Sequence, residues 1–458
     1  MNYFYPRYLA LPYLLLSCFL LCVYPKVVRA EGTPNLRSED GDPVLLFIGN
    51  TSFGDFASFD GPENSRLNFR IAEAGETVYF GMSRLYTGSG LPQSFGQYEY
   101  RVKSAADNSV VFGPIKVNAS IENLSSYEQA VAGPQVLDPD GYPVDENSTF
   151  VAPAAGEYYI EFEKGTPRRP HYIGLWDVTI VKDGLVKPGR VYSKNWAFRV
   201  AEPSPELPLC SFGSELSTVF YSYTNDGFVT EIDFTDSGFQ PLSFNLAFNR
   251  TGPGQTGDLS DDRRSIAGVN ATDNAAEHLI FLEEPDPLLF PDGQCGDVTL
   301  SGEIRCQANE SFCIPITASL PGQAEIILDF NSNGVYDEGL DRLLVYSFSS
   351  MDDLDACVPW DGLRADGNRP PDGVTIDILV EYTQGVQHWA LYDGELMTNG
   401  FCVTPIRPLC GDAATTPLYY DDTNIPGEPG NGAPKVVLQG CECATGNCRT
   451  WTDFQANA

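Results

Sequence analysis

The chain has 458 residues, with 62 Asp and Glu against 28 Lys and Arg, three His, 43 Gly and 34 Pro, for a formal charge of −34. Length admits roughly two to four domains of about 100–200 residues, and 42% apolar residues can fill their cores, so the chain is not disordered. Such acidity excludes nucleic-acid binding through neutralised phosphates and disfavours anionic lipid surfaces.

The first thirty residues read as a cleaved secretory signal. Arg7 precedes an apolar run from Leu9 to Val23, and Val28-Arg29-Ala30 offers side chains that a signal peptidase accepts. That run is shorter than the roughly 20 apolar residues of a membrane span. A retained anchor, or a lipoprotein lipidated at Cys18, are the alternatives. No second hydrophobic segment follows, so no transmembrane segment is expected after signal cleavage. Residues 1–30 hold three basic and no acidic side chains, leaving 25 basic against 62 acidic residues, or −37, in the 428 that remain. Ten cysteines stay with them, at 210, 295, 306, 313, 357, 402, 410, 441, 443 and 448. In an exported chain an even number reads as disulfides. One cysteine lies at 210, four between 295 and 357 and five between 402 and 448. Those counts predict a bridge crossing the segment boundaries proposed below, or free thiols.

Short runs rich in Val, Ile, Tyr, Phe and Thr, bounded by Gly, Pro, Asn or Asp, recur along the chain, as strands and turns do. Examples are Pro43–Ile48, Glu76–Phe80, Gln97–Val102 and Gly156–Glu163, the last two with partial apolar–polar alternation. A short helix is the reading for Asn274–Leu282. Fold class is therefore all-β, as tandem β-sandwiches of jelly-roll and immunoglobulin-like type. Proline-rich acidic stretches at 201–208, 283–293 and 405–408 suggest a signal peptide at 1–30, a β-sandwich at 31–202, a small β-domain at 209–291, an immunoglobulin-like domain at 292–408 and a Cys-rich tail at 409–458.

The most chemical motif runs from Asp329 to Asp341. Asp329, Asn331 and Asn333 supply oxygens at the first, third and fifth positions, Gly334 permits the sharp turn, Val335 offers its carbonyl and Asp337 stands ninth. This is the spacing of a loop that wraps calcium. The twelfth residue is Leu340, so Asp341 or Glu338 has to supply the closing carboxylate. A strand, Ala324–Leu328, precedes the loop where an entering helix is usual. The competing reading is an acidic hairpin loop in which Asn and Gly supply turn geometry.

Other acidic groups read as solvated surface: Asp352-Asp353-Leu354-Asp355, Asp421-Asp422, and Asp261-Asp262-Arg263-Arg264, which compensates itself. Cys441-Glu442-Cys443 with Cys448 has the wrong spacing for zinc and reads as disulfides. Catalysis finds little support. His171, His278 and His388 form no two-His metal spacing, no Ser sits in a nucleophile elbow, and no glycine loop cradles phosphate. A glycoside hydrolase with two converging carboxylates is the third functional reading, after the structural and carbohydrate-binding ones given below.

The runs Ile71–Gly81, Val110–Pro114, Gly156–Phe162 and Val186–Trp196, the calcium-like loop, Val358–Leu363, Tyr419–Asp422 and Cys448–Trp451 together resemble large exported cell-surface proteins of Bacteroidota, of the gliding-motility-associated type. The first region is also similar to the bacterial pre-peptidase C-terminal β-sandwich, and Trp360-Asp361-Gly362 to the immunoglobulin-like domain of flagellar hook-capping proteins. That resemblance implies tandem β-domains on a secreted or cell-surface polypeptide without catalysis. Such proteins continue through further domains to a type IX sorting domain, and none is read here before Ala458, so a longer reading frame or another route of release is expected. Seven Asn-X-Ser/Thr sequons, starting at Asn50, Asn118, Asn123, Asn147, Asn249, Asn270 and Asn309, are incidental in that setting. The functional expectation is a non-enzymatic structural or adhesive protein with a calcium-stabilised domain and a surface or glycan partner. The alternative is a carbohydrate-binding module presenting Trp360, Trp389 and Tyr392.

Overall fold

The computed structural model describes residues 30–36, 44–48, 55–87, 94–164, 171–200, 215–241, 243–254, 256–266, 275–307, 311–334, 336–337, 339–392, 399–410, 420–421 and 436–437. The signal-like segment 1–29 lies outside them. The described chain is almost all β, in antiparallel sheets, with short helices at Thr33–Leu36, Tyr127–Ala132 and Leu259–Asp262. Strands form at Val44–Ile48, Thr77–Met82, Tyr98–Ser104 and Gly156–Phe162, where β-branched and aromatic residues cluster between turn residues. In Tyr98–Ser104 the buried Tyr98, Tyr100 and Val102 alternate with half-buried Glu99 and Arg101, so one face meets the core. Val44–Ile48 is buried throughout, as an interior strand covered on both faces must be.

One large body is built from a nine-stranded, a seven-stranded and a five-stranded sheet around a continuous core. Phe69 anchors it, stacked on Tyr158 at 5.7 Å and edge-on to Phe80 at 6.3 Å. Aromatic pairs of this kind add about 0.5–1.5 kcal/mol beyond the area they bury.

The boundaries expected from sequence are not the boundaries of the sheets. Asn195–Val200, before the proline-rich stretch 201–208, pairs with Ser243–Asn249 after it, and Val191–Ser193 pairs with Leu279–Phe281. Phe220, Phe244 and Ile280 accordingly share one core with Phe69 and Phe80. His388–Tyr392 and Cys402–Arg407, placed by sequence in the third domain, add to the same body by pairing with Ser243–Asn249 and Val229–Asp233. Residues from about 298 to 383 form two separate sheets, and Tyr420–Asp421 pairs with Val436–Val437 in a small third one. Val298–Leu300, Arg305–Cys306, Phe312–Ala318 and Asp355–Trp360 make one, and Gly322–Asp329, Arg342–Phe348 and Asp377–Thr383 the other. Ile314, Ile316, Ile326, Leu328 and Trp360 fill the core between them. This second body is inserted between two strands of the first. A proline-rich stretch can join strands of one sandwich as readily as two domains, so composition alone misplaced the division.

Where sequence suggested a helix at 274–282, the described part holds the strand Leu279–Phe281, flanked by Val191–Ser193 and Val219–Tyr223. Two strand partners outweigh the weak local preference of a short helix.

Disulfides join Cys295 to Cys410 and Cys313 to Cys357, while Cys306 is free and exposed. Both outcomes foreseen by the cysteine distribution therefore occur, since the first bridge crosses the division drawn at 408/409.

Candidate metal centre

The loop from Asp329 to Asp341 connects two paired strands of the second body, Gly322–Asp329 and Arg342–Phe348, with Leu328 opposite Arg342. Asp329 and Asp341 stand at the two feet of the loop, and neither has any accessible surface. Asp329 Oδ1 accepts from the backbone N–H of Asn331 at 3.1 Å and of Ser332 at 2.7 Å, and its Oδ2 from Gly334 N at 2.8 Å. The chain turns there through left-handed residues, Ser332 at φ 56° and Gly334 at φ 77°. A side chain at Gly334 would meet open space, so glycine serves the backbone angle rather than the packing.

Asp341 closes the other foot. Its Oδ1 accepts from Phe330 N at 2.9 Å and its Oδ2 from Asp337 N at 2.8 Å. Between the feet, Asp337 Oδ2 accepts the side-chain amides of Asn331 at 2.6 Å and Asn333 at 2.8 Å. Five of the six expected ligands, Asp329, Asn331, Asn333, Asp337 and Asp341, therefore share one compact loop. The sixth, Val335, and the alternative closing acid Glu338 lie outside the described residues. Leu340, at the usual twelfth position, packs against the core of the second body, and the carboxylate that closes the loop comes one residue later. Phe330 extends the loop into that core, 6.2 Å from Trp360, whose Nε1 donates to Leu363 O at 2.9 Å.

Burial works to raise the pKa of Asp329, but the N–H groups of Gly334, Ser332, Asn331 and Asn333 outweigh it and hold the carboxyl below its ordinary range. Asp329 is thus preset in its ionised form. All three carboxylates are engaged with N–H donors, and among the described residues no three His, Cys, Asp or Glu converge as a ready cage. The donor chemistry nevertheless suits a hard divalent cation, being carboxylate and amide oxygen throughout. Turning over the amides of Asn331 and Asn333 would replace nitrogen by oxygen toward Asp337.

Several other sequence readings change. Trp360 is 4% exposed, enclosed by Phe312 at 4.9 Å and Phe330, so it cannot offer a ring face to a glycan. Trp389 is half-buried against Phe248 and Phe401, and the Tyr392 side chain lies outside the described residues. The segment 261–264 does not compensate only itself. Arg263 pairs with Glu325 of the second body at 2.7 Å, and Arg264 with Asp421 at 3.0 Å as well as with Asp261. Asp262 is buried and accepts from Thr256 N and Gly257 N. Asp421 is therefore an ion-pair partner rather than free surface, while Asp422, Cys441, Cys443 and Cys448 lie outside the described residues.

Two carboxyls that sequence did not single out are buried inside the large body. Glu31 is raised to about 8 by burial, against the N–H groups of Val191 and Arg190 that it accepts. Asp177 is raised to about 7 by burial, although Oδ2 accepts from Tyr142 Oη at 2.5 Å and Thr179 Oγ1 at 2.7 Å. Arg190 is equally enclosed and pairs with Glu76 and Asp286, each at 2.8 Å. Nothing in the local pattern of these residues marks them, because their burial arises where distant strands meet.

No known protein family matches the chain, and no curated protein resembles it in sequence. A crystal structure of a DUF4785 family protein from Legionella pneumophila aligns over 82% of this chain and 91% of that one, at 9% identity and a TM-score of 0.14. A likeness that slight carries no inference. Among the described residues no helix is long and apolar enough to cross a membrane.

Proposed function

We propose that the chain is an exported, non-enzymatic structural or adhesive protein, and that calcium held by the 329–341 loop stiffens its second body. One observation carries the reading: two fully buried carboxylates, Asp329 and Asp341, stand at the feet of a single loop with Asp337 and two amide side chains between them. Two disulfides support export, since such bridges persist in oxidising compartments. The resemblance to Bacteroidota surface proteins supports a place at the cell surface, where the partner would be another surface component or a glycan.

The carboxylates of Asp329, Asp337 and Asp341 and the amide oxygens of Asn331 and Asn333 would hold the ion, with the Val335 carbonyl as the further ligand expected from sequence. Calcium supplies charge neutralisation there. The loop residues themselves draw the two strand ends together and present oxygens toward one point. Because the unfolded loop cannot assemble that donor set, binding favours the folded state by mass action, by about 2.7 kcal/mol when calcium stands at 100 times its dissociation constant.

Calorimetry of the full chain with calcium and then with chelator tests the reading. The melting temperature of the second body should rise with calcium, and the rise should vanish in Asp329→Ala/Asp337→Ala. An identical melting temperature in calcium and chelator for the unsubstituted chain would remove the ion from the account.

A further inference from the structure

The segment 30–36 is fastened into the large body. Ala30 is 5% exposed and Glu31 2%. Glu31 and Gly32 pair with Val178 and Asp177 in antiparallel register. Trp176 N donates to Thr33 Oγ1 at 2.9 Å, Asn35 Nδ2 to Glu283 Oε1 at 2.7 Å, and Thr218 Oγ1 to Leu36 O at 2.8 Å.

Asp177 is the odd group in this place. It has no accessible surface, and its Oδ1 has no hydrogen-bond partner. Among the described residues neither Asp177 nor Glu31 forms an ion pair with Lys or Arg, and the guanidinium of Arg190 is taken by Glu76 and Asp286. Burial pushes Asp177 up to about 7 and Glu31 up to about 8, with Glu283 and Asp177 adding to the latter. Two buried carboxyls that feel each other's charge therefore lack a cation, a costly arrangement if either ionises.

The path of the backbone offers one. A Cβ at Gly32 would stand 2.3 Å from Trp176 O and 2.9 Å from Asp177 Cα, so the two strands touch at the residue after Glu31. At the residue before it, the Ala30 methyl lies 3.8 Å from the position a Gly133 Cβ would take, and Thr179 Oγ1 lies 4.0 Å from the same point. That hydroxyl donates to Asp177 Oδ2 at 2.7 Å. Glu31 N is thus flanked by one residue that abuts Asp177 and by another beside the hydroxyl that holds its carboxylate.

We propose that the Ala30–Glu31 bond is the processing site, and that the α-ammonium released on Glu31 is received by Asp177 as a buried ion pair. The pairing rests on the reading that the chain is exported and cleaved. Under a signal peptidase, the oxygen of water stays with Ala30 as a carboxylate while the C–N bond breaks. Both protons of that water go to the nitrogen, which becomes NH3+. Loss of Ala30 vacates its buried place beside Thr179 and Gly133, and the freed N–H groups turn there toward Oδ1. Cleavage comes before docking, since a peptidase needs an accessible chain and both residues of the bond are buried in the fold. The precursor is then the less stable form while it crosses the membrane, and removal of the leader locks the mature fold.

Mass spectrometry of the protein recovered from the producing cells and from their medium should find the exported chain beginning at Glu31. In that folded chain, NMR of the Glu31 α-carbon should show the amine titrating above the ordinary α-amino value of about 8, because a facing carboxylate favours the charged form. In Asp177→Asn, shown to be folded by circular dichroism, it should return to that value or below it. The unsubstituted titration alone decides if the variant does not fold. Between about pH 4 and 7 the uncut chain should lose melting temperature relative to its Asp177→Asn variant, and the cut chain should not, since the ammonium keeps Asp177 ionised. A Glu31 amine that titrates at its ordinary value in the folded, cut chain would overturn the proposal and leave export standing. So would an exported chain that begins at another residue. A chain found only inside the cells, with residues 1–30 still attached, would remove export and this pairing with it.

Discussion

Arg190→Met removes the buried cation shared by Glu76 and Asp286 while keeping most of the side-chain volume. Arg190 and Glu76 are each 2% exposed and 2.8 Å apart, so water cannot screen the pair or take its place. Glu76 Oε2 would still accept from Ala72 N at 2.8 Å, but Oε1 would be left charged and without its partner. Asp286 is 18% exposed and can recover some hydration. The cost is therefore dominated by one uncompensated carboxylate, about 3–5 kcal/mol. Against a typical total of about 5–15 kcal/mol, that is a large fraction. Adding Glu76→Gln should recover roughly half of it, because a neutral amide in the same place carries no unpaired charge. Urea denaturation of the wild type, both single variants and the double variant yields the coupling energy directly. A loss below about 1 kcal/mol for Arg190→Met, or a double variant less stable than Arg190→Met alone, would refute the reasoning.

Trp360→Ala should destabilise the second body by about 3–5 kcal/mol, read by calorimetry, because the indole fills the core between Phe312 and Phe330. In the uncut chain Asp177 makes stability depend on pH. Its folded pKa of about 7 lies above the ordinary 3.8, so the folded state binds the extra proton and loses stability as pH rises from about 4 to 7. Asp177→Asn cannot ionise, so wild type should weaken relative to it across that window and run parallel above it. Parallel melting curves throughout would show that the carboxyl is ionised in the fold. Replacing both Cys295 and Cys410 by Ser opens a loop of 115 residues. Chain entropy sets the loss near 4–5 kcal/mol, and chemical denaturation together with faster proteolysis near residue 293 would report it.

Local pattern was enough for the elements. Alternation in Tyr98–Ser104, the apolar run at Val44–Ile48 and the turn residues between them identified strands, because side-chain burial on a pleated sheet has a short period that the chain carries in itself. The loop at 329–341 was legible for the same reason: its oxygens are spaced by the local path of one turn, and Asp329, Asn331, Asn333, Asp337 and Asp341 do come together there. The domain division was not legible. Whether Asn195–Val200 pairs with a strand beyond 208, or His388–Tyr392 returns to the first body, depends on hydrogen bonds between segments far apart in the chain. Trp360 shows the same limit, since an aromatic before Asp-Gly looks available until Phe312 and Phe330 close over it.

The sequence by itself determined an acidic, cysteine-bearing, all-β chain with one calcium-like loop, because composition and short-range periodicity suffice for those properties. Only the tertiary structure decided that two expected domains are one sandwich with another body inserted. It alone buried Glu31, Asp177 and Arg190 and set Ser222 against Gln387. Burial and juxtaposition are properties of strands that meet across hundreds of residues, and no local pattern encodes them.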